Sequence, residues 1–514
     1  MGNACVKTRI LHLPLALRRD ASSSLQEQIA SEFRRLIEAG ILPPGESLVS
    51  IREFSETYGV SRNTVVLAYQ RLADEGYIET RPGTLARVAR HIPVTHRRRP
   101  APSAVPGARQ VHAELIRPVR KSGLFPLPRA ETSCTAAVDF QVGVTAPEML
   151  SRKLLSRYTD ALARGAERLC AYQSAEGMPQ LRSAIAQYVA INKGIQAGER
   201  QIVIVNGAQE GLSLLAHLFL HEHADVWMEH PGYHGTYNIF SAYGARIHLQ
   251  DVDGEGMILD GMPAAGKGIA HVTPAHQYPL GVVMTPARRA ALVAWAQASG
   301  SLIIENDYDG DFCYEYERGE AQTALASLAP GNVVHLGSFS KALGPGFRLG
   351  YMICPPALVD EVSAAKSLLN TGSSWFEQTI VAEMMNTRAF GAHLRRMRSF
   401  YMARRDALLK VLAGFGGRIE GAQGAMHLCW TLPPCAPAAV ELRDRLMRAG
   451  IRVYTMDEVA IHRCPERSAR SLFLGYARVS LGDIAHLHAA LRRIFGTPAS
   501  TQEMPASTTD SALR

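Results

Sequence analysis

The sequence predicts an α/β protein in two parts. A small helical head with a short strand pair precedes a large body, built on a mostly parallel sheet with a smaller C-terminal α/β subdomain. Three observations carry this. Apolar residues between positions 24 and 89 recur at helical spacing and are punctuated by glycines; from Val138 onward short apolar runs alternate with helical patterns; and the positive charge is concentrated at one end. The first 120 residues hold 18 Lys and Arg against 11 Asp and Glu, a net +7, while the whole 514-residue chain carries +8. A basic module on a near-neutral body points to a polyanion-binding head.

Within the head, Leu25, Ile29, Phe33, Leu36 and Ile37 predict a helix over 25–39, closed by Gly40 ahead of Pro43-Pro44-Gly45. A second helix is expected over 51–58, stopped by Gly59. A third starts at Arg62, with Ser61 as its N-cap and Val65, Ala68, Tyr69 and Leu72 as its buried face. A helix, a tight glycine turn and a second helix that opens with Arg62, Asn63 and Thr64 is the helix-turn-helix plan. Its leading side chains meet base edges in the major groove of double-stranded DNA. Residues 76–80 and 87–89 can pair around Arg81-Pro82-Gly83, giving a basic wing near phosphates. The expected DNA-contacting set is Arg52, Ser61, Arg62, Asn63, Thr64 and Arg81, with Arg52 and Arg81 on phosphate.

The body's β runs are Ile202–Val205, Val226–Met228, Ile269–Val272, Leu302–Ile304, Val333–Leu336 and Leu349–Ile353, with a helix over 287–298 between two of them. Such alternation builds a mostly parallel sheet covered on both faces. From about Gln378, charged amphipathic helices mix with short strands in a smaller subdomain. The expected boundaries are a head at 20–90, a basic proline-rich linker at 91–137, the body at 138–496 and a disordered tail at 497–514.

Several classes are excluded as expectations. No apolar run nears the ~20 residues of a membrane-spanning helix. The short run Ile10–Leu17 ends at Arg18-Arg19, and Val6 spoils a lipidation start at Gly2. The eight cysteines show no C-x-x-C spacing, which argues against a zinc finger and a secreted disulfide framework, and no metal site is expected. A cytoplasmic protein with reduced thiols is expected.

The head segment SRNTVVLAYQRLADEGYIETRPG, starting at Ser61, resembles the winged-helix DNA-binding domain of the GntR superfamily. Two departures stand out. Val49 occupies a position where the family usually has proline, and the wing 81–87 lacks the usual second glycine and aromatic.

In the body, Gly337-Ser338-Phe339-Ser340-Lys341 and, seven residues after the lysine, Arg348 sit between two β runs. A lysine on a strand-end loop with hydroxyls before it and an arginine beyond suits an aldehyde cofactor that carries a phosphate. The amine forms a Schiff base, and the planar arginine fork and short hydroxyls hold the dianion. Ser338-x-x-Lys341 also fits the serine β-lactamase motif, but no S-D-N or K-T-G partner exists in the chain. Gly207-Ala208-Gln209 follows one strand and opens a helix whose N–H groups can cradle the same phosphate. Pro231-Gly232-Tyr233 ends another strand and offers a ring to cover a planar cofactor. Glu305-Asn306-Asp307-Tyr308 ends a third, with a partner for a pyridine nitrogen and a phenol for a ring oxygen.

In this order the pieces resemble the fold-type I aminotransferases, which use pyridoxal 5′-phosphate, from about Asp139 to Phe495. A GntR-type head on such a body is similar to the MocR subfamily of bacterial regulators, as are residues 172–182 and 273–281. The resemblance implies a winged helix-turn-helix joined to a fold-type I aminotransferase-like domain, working as a homodimer that senses an amine, an amino acid or pyridoxal phosphate itself. It assigns Lys341 the covalent cofactor bond, Ser338, Arg348, Gly207, Ala208 and Gln209 the phosphate, Tyr233 the ring face, and Asn306 and Tyr308 the ring edge, with Ser340 and Gln277 also among the cofactor-binding residues. Tyr172 would reach the cofactor of a partner subunit.

The departures bear on mechanism. Asn306 stands where the subfamily usually has the aspartate that pairs with the protonated pyridine nitrogen. Asp307 faces the other side of the strand and should not replace it. A neutral amide weakens the ring as an electron sink, which favours sensing over transaminase turnover. Gly235 and Phe473 occupy positions of substrate arginines in relatives, with Arg478 nearby in sequence, so a GABA sensor is not expected. The other reading is a working aminotransferase with an accessory DNA-binding head.

Overall fold

The computed structural model describes residues 17, 23–81, 83–90, 136–150, 156, 158, 171–172, 174–221, 224–314, 323–461 and 464–496. The chain divides into two compact units, 1–117 and 118–514. The expected linker up to residue 135 and the expected tail 497–514 lie outside the described residues.

The head follows its sequence pattern closely. Helices α1 (Leu25–Glu38), α2 (Ile51–Tyr58) and α3 (Arg62–Asp74) each begin at a serine. The hydroxyls of Ser24, Ser50 and Ser61 accept the backbone N–H three residues on, at 3.2, 3.1 and 3.1 Å. Gly59 ends α2 in the left-handed region, at φ 62°, which turns the chain into α3. Ile29, Phe33, Phe54, Val65, Ala68, Tyr69 and Leu72 form the core, and the Tyr69 hydroxyl donates to the Val49 carbonyl at 2.9 Å. The buried phenol thus fixes the entry to α2 at the position where proline was expected. Strands β1 (Ile78–Glu79) and β2 (Arg87–Val88) pair antiparallel as the predicted wing.

The body's first strand, β3 (Val138–Asp139), leads to α4 (Pro179–Lys193), and then the main sheet begins. Its strands are β4 (Ile202–Val205), β5 (Asp225–His230), β6 (Arg246–Asp253), β7 (Gly256–Met257), β8 (Ile269–Val272), β9 (Leu302–Asp307), β10 (Val333–Ser338) and β11 (Gly350–Ile353). They lie in the order β4-β11-β10-β9-β8-β5-β6-β7. The five strands from β10 to β6 are mutually parallel, while β11 is antiparallel to both of its neighbours. All six predicted β runs are strands of this sheet. β4 and β8 are buried along their length, as continuous apolar runs of a two-face-covered sheet should be. The unpredicted β6 is mostly half-exposed with mixed composition, and so gave no apolar run. Helices α5 (Ala208–Phe219), α6 (His234–Ala242) and α7 (Pro286–Ser299) join the strands. No helix among the described residues is long and apolar enough to cross a membrane.

The boundary near Gln378 moves. Helix α8 (Val359–Asn370) is followed by α9 (Trp375–Asn386), which packs on α4 in the large layer, and Gln378 accepts the Met178 N–H there at 2.8 Å. The smaller part starts with α10 (Ala389–Ala413) and holds an antiparallel sheet in the order β12 (Arg418–Glu420), β13 (His427–Thr431), β16 (Ser471–Gly475), β15 (Tyr454–Thr455). α11 (Ala439–Arg448) and α12 (Leu481–Phe495) pack with it. The body's first strand also joins this part, for β3 pairs in parallel with β14 (Ile451–Arg452). Long-range pairing of two-residue strands leaves no local periodicity to read.

Candidate functional site

The carboxyl ends of the parallel strands form the crevice in which open α/β sheets bind ligands. β10 ends at Ser338, and Lys341 lies in the single helical turn Ser340–Leu343 just beyond it. The Lys341 ammonium donates to the Gly143 carbonyl at 2.5 Å. Burial holds its pKa below the usual lysine range, and the Asp309 carboxylate opposes that shift. The Ser338 hydroxyl accepts the Ser340 N–H at 3.2 Å, so both serines belong to one tight turn.

Arg348 has left-handed backbone (φ 46°) and folds back on the loop after β4, donating from Nη2 to the Asn206 carbonyl at 2.8 Å. A Cβ on Gly207 would lie 3.2–3.3 Å from the guanidinium, and Gly207 itself has φ 87°. The backbone angle favours a glycine here, and any side chain would press on the Arg348 fork. It opens α5, so an arginine fork and the N-terminus of a twelve-residue helix converge. The turn is braced from behind. Glu210 accepts the Asn206 N–H (2.5 Å) and side-chain amide (3.2 Å), and is faced by the fully buried Lys366 at 3.4 Å.

β9 presents alternate residues to opposite sides. The Asn306 amide reaches the His271 ring at 3.3 Å, while its Oδ1, though buried, has no hydrogen-bond partner among the described residues. Burial pushes His271 down to about 4, which keeps it neutral, and its Nε2 also meets the Thr236 hydroxyl at 3.3 Å. Asp307 turns away, as the strand alternation requires, and forms a buried ion pair with Lys193 while accepting the Gly310 N–H at 2.9 Å. Burial alone would raise its pKa, but Lys193 and His335 hold it below the usual carboxylate range.

Aromatic rings gather around this crevice. The Tyr308 hydroxyl lies 3.2 Å from His276 Nδ1, which also faces the buried Asp309 carboxylate at 3.5 Å. Burial pushes Asp309 up. Tyr278 meets Tyr233 and Tyr308 edge-on, at centroid distances of 5.5 and 5.9 Å. The Tyr233 ring lies over Gly235, whose Cβ would come within 2.5 Å of it. The position that carries an arginine in some relatives is thus closed to any side chain while that ring stays in place.

One of the expected residues is committed elsewhere. The Gln277 side chain donates to the carbonyls of Pro231 (2.8 Å) and Tyr278 (2.6 Å) and accepts the Leu280 N–H (3.1 Å). Its amide is committed to joining two loops rather than to the crevice. Tyr172 is 95% exposed and points to solvent. Phe473 is buried in an apolar cluster with Leu280, Tyr454 and Met456, against which Tyr278 packs, and Arg478 is exposed. Phe473 supplies no cation to this wall. Sequence reasoning did not reach Asp309, His276, His271, Lys193, Glu210 or Lys366. Asp309, two residues beyond Asp307 in the same acidic segment, was the one with a local signal.

On the head, Arg52, Ser61, Arg62, Asn63 and Arg81 are exposed, and Thr64 is half-buried with its hydroxyl 2.8 Å from that of Ser61. Glu56 pairs with Arg52 at 2.9 Å and approaches Arg62 at 3.9 Å. It gathers two basic side chains at the start of α3.

The family of aminotransferases class I and II matches residues 145–494, and the gntR family of bacterial regulatory proteins matches residues 25–88. A probable rhizopine catabolism regulatory protein, MocR of Rhizobium meliloti, is 29% identical over 97% of this chain and 99% of its own length. The HTH-type transcriptional regulator TauR of Rhodobacter capsulatus is 31% identical over 91% of this chain and 97% of its own. The chain belongs to the MocR subfamily of GntR-type regulators. A pyridoxine biosynthesis regulator, PdxR of Corynebacterium glutamicum, is 29% identical over 81% of this chain and 86% of its own. The kynurenine aminotransferase of Pyrococcus horikoshii shares the fold of this MocR-type body, with a TM-score of 0.62 at 23% identity over 71% of this chain and 91% of that one.

Proposed function

We propose that this MocR-subfamily regulator binds pyridoxal 5′-phosphate at the strand-end crevice of its body. Occupancy of that site by the cofactor, and by an amine or amino-acid effector, then sets the affinity of paired heads for double-stranded DNA. The observation that carries the reading is the convergence of the Arg348 fork, the Gly207 turn and the α5 N-terminus on the strand ends that also bear Lys341. The orphaned Asn306 Oδ1 and the ring-lined wall fit a flat, polar-edged group.

When bound, the cofactor supplies an aldehyde that condenses with primary amines. The residues divide its handling. Arg348, Ser338, Ser340 and the N–H groups of Gly207, Ala208 and Gln209 hold the phosphate dianion. Lys341, its pKa lowered by burial, keeps a larger share of nucleophilic neutral amine than an exposed lysine would. Tyr233 covers the ring, and Tyr308 with His276 stands at its oxygen edge. Asn306 and the neutral His271 present no negative charge to the ring nitrogen, so the site binds amines well but assists removal of a Cα proton poorly. That favours sensing over turnover.

An effector can shift DNA affinity only by binding one conformational state better than another. Tyr172, exposed in one protomer, serves the partner's site in a homodimer. Arg52, Arg62, Asn63, Thr64 and Arg81 contact DNA, with Ser61 holding the start of α3. The cytoplasm is where such a regulator acts. Relatives are named as regulators of rhizopine catabolism and of pyridoxine biosynthesis.

The test is DNA affinity of the purified full-length chain, with and without pyridoxal phosphate and across a panel of amines and amino acids. At least one ligand should change the affinity severalfold. Invariance to all of them, with the cofactor shown to be bound, would overturn the sensing role.

A further inference from the structure

Helix α3 carries an outward stripe that its polar leading residues do not account for. Its exposed positions are Arg62, Asn63, Val66, Leu67 and Gln70, with Asp74 at the far end of the helix, set between the buried Val65, Ala68, Tyr69 and Leu72. Val66 is 38% and Leu67 42% exposed, and neither belongs to the head's core. Val66 stands one turn after Arg62 in the same row, and Gln70 one turn after that. A β-branched residue at a partly exposed helix position lowers helix propensity, and Val66 lies outside the head's core cluster.

The setting says what such a side chain can meet. The stripe begins with Arg62 and Asn63, Arg52 lies across the Glu56 carboxylate from Arg62, and the helix opens after a glycine turn. A cationic helix face of that kind suits a major groove, and the apolar group that a major groove offers is the C5 methyl of thymine. We propose that Val66, flanked by Leu67, reads a thymine methyl in each operator half-site. Four residues advance ~6 Å along a helix and base pairs are stacked ~3.4 Å apart. The thymine therefore lies within about two base pairs of the base met by Arg62. The inference rests on α3 entering the major groove, as proposed above, and adds a base identity to it.

The full-length protein is used to enrich duplexes from a random-sequence library. The enriched duplex is then remade with each thymine in turn replaced by uracil, which removes the methyl and nothing else. At one position per half-site uracil should weaken binding about fourfold, the value of one buried methyl-sized group. Val66→Ala, an exposed change, should bind thymine and uracil duplexes alike, and the isosteric Val66→Thr should keep part of the difference. The inference falls if no thymine shows the effect, or if Val66→Ala keeps it undiminished. Failure to enrich any duplex would instead remove the groove placement, and this inference with it.

Discussion

Gly207→Ala is the sharpest probe of the phosphate end of the crevice. The added Cβ carries two separable costs. At φ 87° and ψ 166° an L-residue is strained by about 1–3 kcal/mol, which appears as lost stability. The same atom would lie 3.2–3.3 Å from the Arg348 guanidinium, close enough that the fork must give by a few tenths of an ångström, although its Nη2 is tied to the Asn206 carbonyl at 2.8 Å. If the shift breaks one charge-assisted bond to phosphate, about 1.5–3 kcal/mol is lost, or ~10- to 150-fold in Kd for pyridoxal phosphate. The assay is a spectrophotometric titration of cofactor-free protein with pyridoxal phosphate, beside a thermal melt and a DNA-binding curve. Gly346→Ala is the matched control, since nothing lies within 4 Å of its Cβ and its φ is not positive. Gly346→Ala should be silent, and both proteins should still bind DNA. An unchanged cofactor Kd in Gly207→Ala would refute the reasoning that places the phosphate between Arg348 and the α5 N-terminus.

Three further outcomes are expected. Asp307→Asn should cost about 3–5 kcal/mol in a denaturant titration, because it removes a carboxylate paired with the buried Lys193, which also faces Asp311 at 3.3 Å; a cost under 1 kcal/mol would show that the pair is not a strut of the β9 end. Glu229 is pushed up by burial to about 7. Its contribution is therefore complete below pH 4.5 and lost as pH rises through 7, so Glu229→Gln should stabilise on the order of 3 kcal/mol at pH 8 and nothing at pH 4, read from melts at both values. On the head, Arg52→Ala should lower the slope of log affinity against log salt by about 1, whereas Arg62→Ala should relax base preference at one position by about 1–3 kcal/mol; equal effects on every sequence would demote Arg62 to a phosphate contact.

What was legible in the sequence was what local chemistry dictates. The Ser61 cap, the Gly59 turn and the buried face of α3 all follow from side chains a few residues apart, and each stands where the pattern put it. The six buried strands were readable because a strand covered on both faces must be apolar throughout. β6, half-exposed, and β3, paired with a strand more than three hundred residues away, offered no such run. In the crevice, the Lys341 and Arg348 turn and the Asn306/Asp307 alternation were accessible from spacing alone. The role of Gln277 was not, because a glutamine in a loop reads the same whether its amide faces a cofactor or two carbonyls. Nor were the Asp309–His276 and Glu210–Lys366 pairs, whose partners come together only in the folded chain.

The central claim is that Lys341 is the residue through which this regulator holds its cofactor. The direct measurement is the visible absorbance of the purified protein with pyridoxal phosphate, followed by borohydride reduction and peptide mass mapping, in wild type and in Lys341→Ala. The account predicts a visible band in the wild type, fixed by borohydride onto the peptide that contains Lys341, and its loss in a variant that still folds and binds DNA. A band that persists in Lys341→Ala, or a label mapped to another lysine, would contradict it.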